Sequence, residues 1–91
     1  MTFADDVDAA VAATTIIEAL SALPAQIPEI KRYEMGADLG LGEGTADMAL
    51  IADFDSVSGY EAYSKHPAHL KIIADVVRPN LGTLIRCQIE M

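Results

Sequence analysis

Both histidines and two of the three tyrosines of this chain fall within one stretch, Tyr60-Glu61-Ala62-Tyr63-Ser64-Lys65-His66-Pro67-Ala68-His69-Leu70. An imidazole exchanges protons near neutral pH, so this stretch holds most of the polar chemistry available for a site. Plainer roles compete with a functional one. His66 precedes Pro67 at a helix junction, where an imidazole often satisfies loose backbone carbonyls. His69 could equally be a first-turn residue packed on a sheet. Tyr60 and Tyr63 lie three apart on one helical face, a spacing shared by many core residues. A metal reading of His66 and His69 needs further ligands, such as Asp53, Glu61 or a symmetry mate. Nothing points to them, and no metal is expected.

The elements around this stretch follow from hydrophobic spacing. Tyr60 to Lys65 reads as helical, Pro67 interrupts the run, and a second helix follows with His69 in its first turn. Asp55 and Ser56 are suited to cap the first of these helices. In the second, His69, Ile72, Ile73 and Val76 form a stripe that Pro79 ends. Upstream, Ala4 to Leu23 reads as a helix with Val7, Ala10, Val11, Ile17 and Leu20 on its stripe. Asp5 and Asp6 lie at its start and Pro24 stops it. Three segments alternate as strands: Glu29 to Ala37, Thr45 to Phe54, and Thr83 to Met91. Gly36, Gly40, Gly42 and Gly44 make a loop with Asp38 and Glu43 that leads into a strand. It reads as a hairpin connection, not as a phosphate cradle, which needs a following helix and positive charge.

Composition bounds the function. Ninety-one residues make one domain, residues 1–91, and 52% hydrophobic residues are ample for a core. The formal net charge of −8 argues against nucleic acid and against anionic membrane surfaces as partners. No uninterrupted apolar run approaches the roughly 20 residues of a membrane span, and no signal peptide opens the chain. The lone Cys87 excludes an internal disulfide and suits a reducing compartment, so a cytoplasmic protein is expected. There is no flavin, nicotinamide or haem motif, and no cofactor is expected.

The order helix, strand, strand, helix pair, strand is α+β. It matches a βαββαβ ferredoxin-like unit whose first, central strand is represented only by Met1-Thr2-Phe3. A few residues could suffice there, another chain could contribute, or the natural start could lie upstream. The last is the favoured expectation, because Met1-Thr2-Phe3 resembles the tail of a strand entering a helix. A single four-stranded sheet with helices on one side also leaves its other face bare. A homodimer would cover it with Ile85, Cys87, Ile89 and one side of Thr45 to Phe54.

Leu23-Pro24, Ile27-Pro28-Glu29-Ile30, Met35-Gly36, Phe54-Asp55-Ser56, and Tyr63 through His66-Pro67-Ala68-His69 together resemble the stress-responsive A/B barrel (Dabb) family. The resemblance implies a dimeric α+β barrel, two sheets face to face with helices outside. The family includes plant stress proteins, bacterial proteins of unknown role, and a plant polyketide cyclase that makes olivetolic acid. In that cyclase the tyrosine and the second histidine of the motif assist an aldol-type ring closure, which here implies Tyr63 as hydroxyl donor and His69 as base. The cyclase carries further histidines on its first strand and in its central hairpin strand, and Met48 stands near the second of those places. A pocket between the helix pair and the sheet would then be lined by Met48, Tyr60, His66, Ile72 and Ile73. The expected function is a homodimer binding a small molecule there. The alternatives are a cofactor-independent cyclase-type enzyme and, further off, a cofactor-free monooxygenase of the wider superfamily.

Overall fold

The computed structural model describes residues 1–90. Its elements run β1 (Thr2–Phe3), α1 (Ala9–Leu20), α2 (Leu23–Gln26), β2 (Arg32–Ala37), β3 (Met48–Asp53), α3 (Val57–Lys65) and α4 (Pro67–Ile72). A π-helical turn (Ile73–Val77), α5 (Arg78–Asn80) and β4 (Leu81–Thr83) complete the chain. β2 and β3 form a regular antiparallel hairpin in which Arg32 faces Asp53 and Ala37 faces Met48. β1 pairs with β4, and Met1 stitches the two ladders together. Its ammonium donates to Met48 O at 3.0 Å, and its carbonyl accepts from Asp47 N at 2.9 Å. Phe3 N adds a 2.8 Å bond to Asp47 Oδ2. The resulting order, β4-β1-β3-β2, is that of a ferredoxin-like α+β unit. The first strand is thus present as two residues in the central slot. Gly82 is required beside it, because a methyl group there would lie 2.7 Å from Phe3 O.

The last strand departs from expectation. Thr83 to Met91 alternates in sequence, yet the ladder stops at Thr83 and residues 84–90 carry no regular secondary structure. Met91 lies outside the described residues. The reason is the shortness of β1: a strand pairs only as far as its neighbour extends. Leu84, Ile85 and Ile89 are consequently exposed, Ile85 by 84%.

The helices cover one face of the sheet. α1 begins four residues beyond Asp5, with Asp8 as its cap, accepting from Ala10 N and Val11 N. Its buried residues are Ala12, Ala13, Ile16 and Leu20; of the expected stripe, Leu20 is buried and Val7 and Ile17 pack partly against the core, whereas Ala10 and Val11 point outward. Pro24 does not end the helical region but occupies the first turn of α2, whose Leu23 is fully buried. The 18 residues from Ala9 to Gln26 are apolar enough by composition to cross a membrane, contrary to the sequence expectation. They are broken at Ser21–Ala22, and their inner stripe is the core of this domain. Pro79 likewise does not stop the chain's helix. Its ring would clash with the carbonyl four residues back in a regular α-helix. The backbone widens instead, with Arg78 N–H reaching Ile73 O, and Asn80 Nδ2 takes Val76 O at 2.8 Å.

On the sheet, alternation sorts the residues cleanly. Met48, Leu50 and Ala52 turn towards the helices with Tyr33 and Met35, while Ala49, Ile51 and Asp53 are exposed. β2 starts later than its expected range, at Arg32, and ends at Ala37 as expected, while β3 is shorter at both ends, running from Met48 to Asp53. This inner face, with Ile16, Leu23, Ile27 and Val77 fully buried above it, is where the candidate site is built.

Candidate functional site

Tyr63 lies in the last turn of α3, on the side that meets the sheet, and only 8% of it is exposed. Ser56 starts this helix as expected, accepting from Gly59 N at 3.1 Å. Four of the chain's five aromatic residues gather here. The Tyr63 ring meets Phe54 at 5.2 Å, Tyr60 at 6.4 Å and Tyr33 edge-on at 5.9 Å between centroids. His69 is closest, its ring centred 4.3 Å from that of Tyr63. Tyr33 Oη and Tyr63 Oη share a hydrogen bond of 2.9 Å, joining β2 to α3.

The two histidines have opposite duties. His66 caps α4, its Nδ1 accepting from Ala68 N at 3.1 Å, so its own proton sits on Nε2. The sequence suggested that this ring would satisfy carbonyls. It is His69 that does so, Nδ1–H donating to Ser64 O at 3.1 Å in the last turn of α3. That bond requires the proton on Nδ1 and leaves His69 Nε2 as an acceptor. The reversal has a local cause. Pro67 breaks the helix so that His66 precedes free N–H groups, and His69 lies where the free carbonyls of α3 end.

The electrostatics keep the cluster neutral. Burial raises the Tyr33 phenol far above its ordinary pKa, reinforced by its bond to Tyr63. Tyr63 is raised chiefly by burial as well. His69 is lowered, first by burial and then by the positive charge of Arg86 and by His66, against the opposing pull of Ser64 O. At neutral pH the site therefore presents two phenols and a neutral imidazole. Among the described residues no group of three His, Cys, Asp or Glu side chains could hold a metal ion.

Of the residues singled out in the sequence, Tyr60, Tyr63 and His69 come together. Ile72 and Ile73 are half-buried against the core nearby. His66 is engaged with the backbone at the helix junction. Met48 is 2% exposed and borders an open groove of about 580 Å³ under the β2–β3 loop, lined also by Leu39, Leu41 and Ile51. A second groove of about 290 Å³ lies between Lys31, Asp55 and Gly59. Neither groove is lined by Tyr63 or His69. Tyr33 and Phe54 were not singled out, although Tyr33 shares the inner-face register of Met35 and aromatic residues are scarce at 5%.

The profile described as the stress responsive A/B barrel domain matches residues 1–89. The chain belongs to this family. Two solved structures of the same fold are similar to it. One is a dimeric ferredoxin-like protein of unknown function from Thermobifida fusca YX, 43% identical, covering 90% of this chain and 76% of that one, with a TM-score of 0.79. The other is a dimeric protein of unknown function and ferredoxin-like fold from Bacteroides fragilis NCTC 9343. It is 29% identical over 90% of this chain and 81% of that one, with a TM-score of 0.78. The comparison with curated proteins returns no match.

Proposed function

We propose that this Dabb protein is a homodimer that binds a small, uncharged molecule at the cluster of Tyr63 and His69. The observation that carries the binding reading is the convergence of polar atoms inside an otherwise apolar cluster. The Tyr63 and Tyr33 hydroxyls and the His69 ring meet where aromatic side chains from β2, α3 and the β3–α3 connection close around them. Ligand sites are built this way, with apolar walls and few polar groups that fix orientation. Tyr60 packs beside them, and Ile72 and Ile73 are partly buried against the same core. Both structural relatives are described as dimeric, and the exposed Ile51, Ile85 and Ile89 give this chain apolar surface for a second copy. The exposed thiol of Cys87 fits a reducing, cytoplasmic setting.

The test is ligand screening by NMR on the 91-residue chain, watching the His69 ring signals. A binder should move them, and should lose affinity in both Tyr63→Phe and His69→Ala while the two variants keep the dimer. Binders that leave both residues unperturbed would refute the reading.

One observation favours a second reading, an enzyme of the cyclase type. His69 is neutral with Nε2 unspent, the state a general base requires, and Tyr63 lies beside it as a hydrogen-bond donor for an enolate oxygen. Deuterium exchange at the α-carbon of a bound ketone, abolished by His69→Ala, would distinguish catalysis from simple capture.

A further inference from the structure

We propose that Tyr33 is a positioning residue of this site: its hydroxyl donates to Tyr63, directing the Tyr63 proton onto a ligand oxygen, and the pair selects an uncharged carbonyl over a carboxylate. This rests on the binding reading above and assigns a residue and a selectivity that the family match does not supply.

Each phenol has one proton to donate and lone pairs to accept with. At 2.9 Å the two hydroxyls share one bond, which consumes one of their two protons and leaves the other. When Tyr33 is the donor, the remaining proton belongs to Tyr63, whose ring lies against His69. A hydroxyl that accepts a hydrogen bond is polarised into a better donor, so Tyr33 acts on the ligand through Tyr63. The backbone gives the arrangement its precision. Tyr33 stands opposite Ala52 in the regular β2–β3 ladder, on the inner face, while Tyr63 is held by α3.

Selectivity follows from charge. The ion pairs of the chain, Lys31 with Asp55 and Arg32 with Glu34 and Asp53, lie at exposed side chains away from the cluster. No lysine or arginine makes a hydrogen bond or ion pair with Tyr33, Tyr63 or His69 among the described residues. Arg86 is near enough to influence the His69 titration, but it is an exposed residue of the C-terminal segment. A carboxylate entering the cluster would shed water without gaining a buried cation, whereas a ketone would exchange one neutral hydrogen bond for another.

Acetophenone and benzoate, matched in size, are suitable probes, with NMR of the Tyr ζ-carbons and the His69 ring as readout. Acetophenone should bind about tenfold or more tighter than benzoate, the cost of stripping a carboxylate without a partner. Tyr33→Phe should weaken acetophenone about 3- to 10-fold, the worth of one neutral hydrogen bond, and narrow its preference over benzoate. A purely structural tyrosine would change stability and leave that ratio alone. Unchanged acetophenone affinity in Tyr33→Phe overturns the role of Tyr33 and leaves the binding reading standing. Benzoate binding as tightly as acetophenone overturns the selectivity. If acetophenone perturbs neither Tyr63 nor His69, the binding reading fails and the inference with it. Should Tyr33→Phe not fold, the unsubstituted protein decides the matter: Tyr33 and Tyr63 must ionise at higher pH than free tyrosine, and ionisation like free tyrosine overturns the paired arrangement.

Discussion

The two faces of the β2–β3 hairpin are made by the same twelve residues and have opposite fates. The inner face, Tyr33, Met35, Met48, Leu50 and Ala52, packs beneath helices and carries the tyrosine cluster. The outer face, Arg32, Glu34, Gly36, Ala49, Ile51 and Asp53, is exposed. Burial therefore tracks where the chain's own helices lie, since neither face lacks apolar side chains. The outer Ile51 is 52% exposed, and nothing within the described chain covers it. A dimer would make the outer face a second interior, and the comparison can be broken there first.

The largest expected effect is on Ile51→Asp. If a second copy covers this residue, a buried unpaired carboxylate costs about 3–5 kcal/mol, and light scattering should show monomers where the parent protein is dimeric. On a monomer the same substitution is a surface change of about 0.5 kcal/mol or less. A parent protein that is monomeric at micromolar concentration would remove the barrel assembly altogether. On the other side of the sheet, Leu23→Ala should cost about 2–5 kcal/mol in urea denaturation whatever the oligomeric state, because Leu23 is fully buried within one chain.

What the sequence made legible follows the same division. Period-two alternation identified β3 and shows which of its residues share a face, because a strand's faces are set by geometry alone. The same alternation carried the expected last strand on through residues 84–90, and there it misled. A pattern shows which residues share a face, but a ladder also needs a partner of equal length, and β1 has two residues. Ala10 and Val11 were placed on the wrong face of α1 because Ala9, Ala10, Ala12 and Ala13 give almost no contrast between faces. Ser56 was legible as a cap because the backbone need at a helix start is always the same. The duty of His66 was misread because spacing does not say whether the nearest free backbone group is a donor or an acceptor. Tyr63 and His69 were singled out from their motif, while Tyr33 was not, because its hydrogen-bond partner is thirty residues away.

A smaller effect sharpens the inner side. His66→Ala removes the cap on α4 and should cost about 1 kcal/mol, with His66→Asn restoring most of it, since asparagine accepts from the same N–H groups. Ligand affinity should follow stability only weakly, because His66 faces the backbone. Tyr63→Phe removes the hydroxyl pair and leaves the Tyr33 hydroxyl without its partner, so it should cost about 1–3 kcal/mol of stability, still less than truncating the buried ring.

The smallest effects distinguish the faces by pH. His69 on the inner side has its pKa lowered from the ordinary 6.5, mainly by burial. Between that lowered value and 6.5 the unfolded chain binds more protons than the folded one, so stability falls as the pH falls through this window. The contribution is complete above pH 6.5 and lost below the folded value. On the outer side Glu34 is held below its ordinary 4.5 by its hydrogen bond and charge interaction with Arg32. Its contribution is also present above the unfolded value and lost on acidification, but only below pH 4.5. The Glu34 pair is solvent-exposed, so salt should screen its step, whereas burial gives the His69 step little salt dependence. Acid titration of the melting temperature at low and high salt should thus show two separable declines. His69→Gln should abolish the upper one alone, and Glu34→Gln the lower. A single decline below pH 4.5, unchanged by His69→Gln, would show that His69 is as hydrated as the outer face and that the inner cluster is open to water.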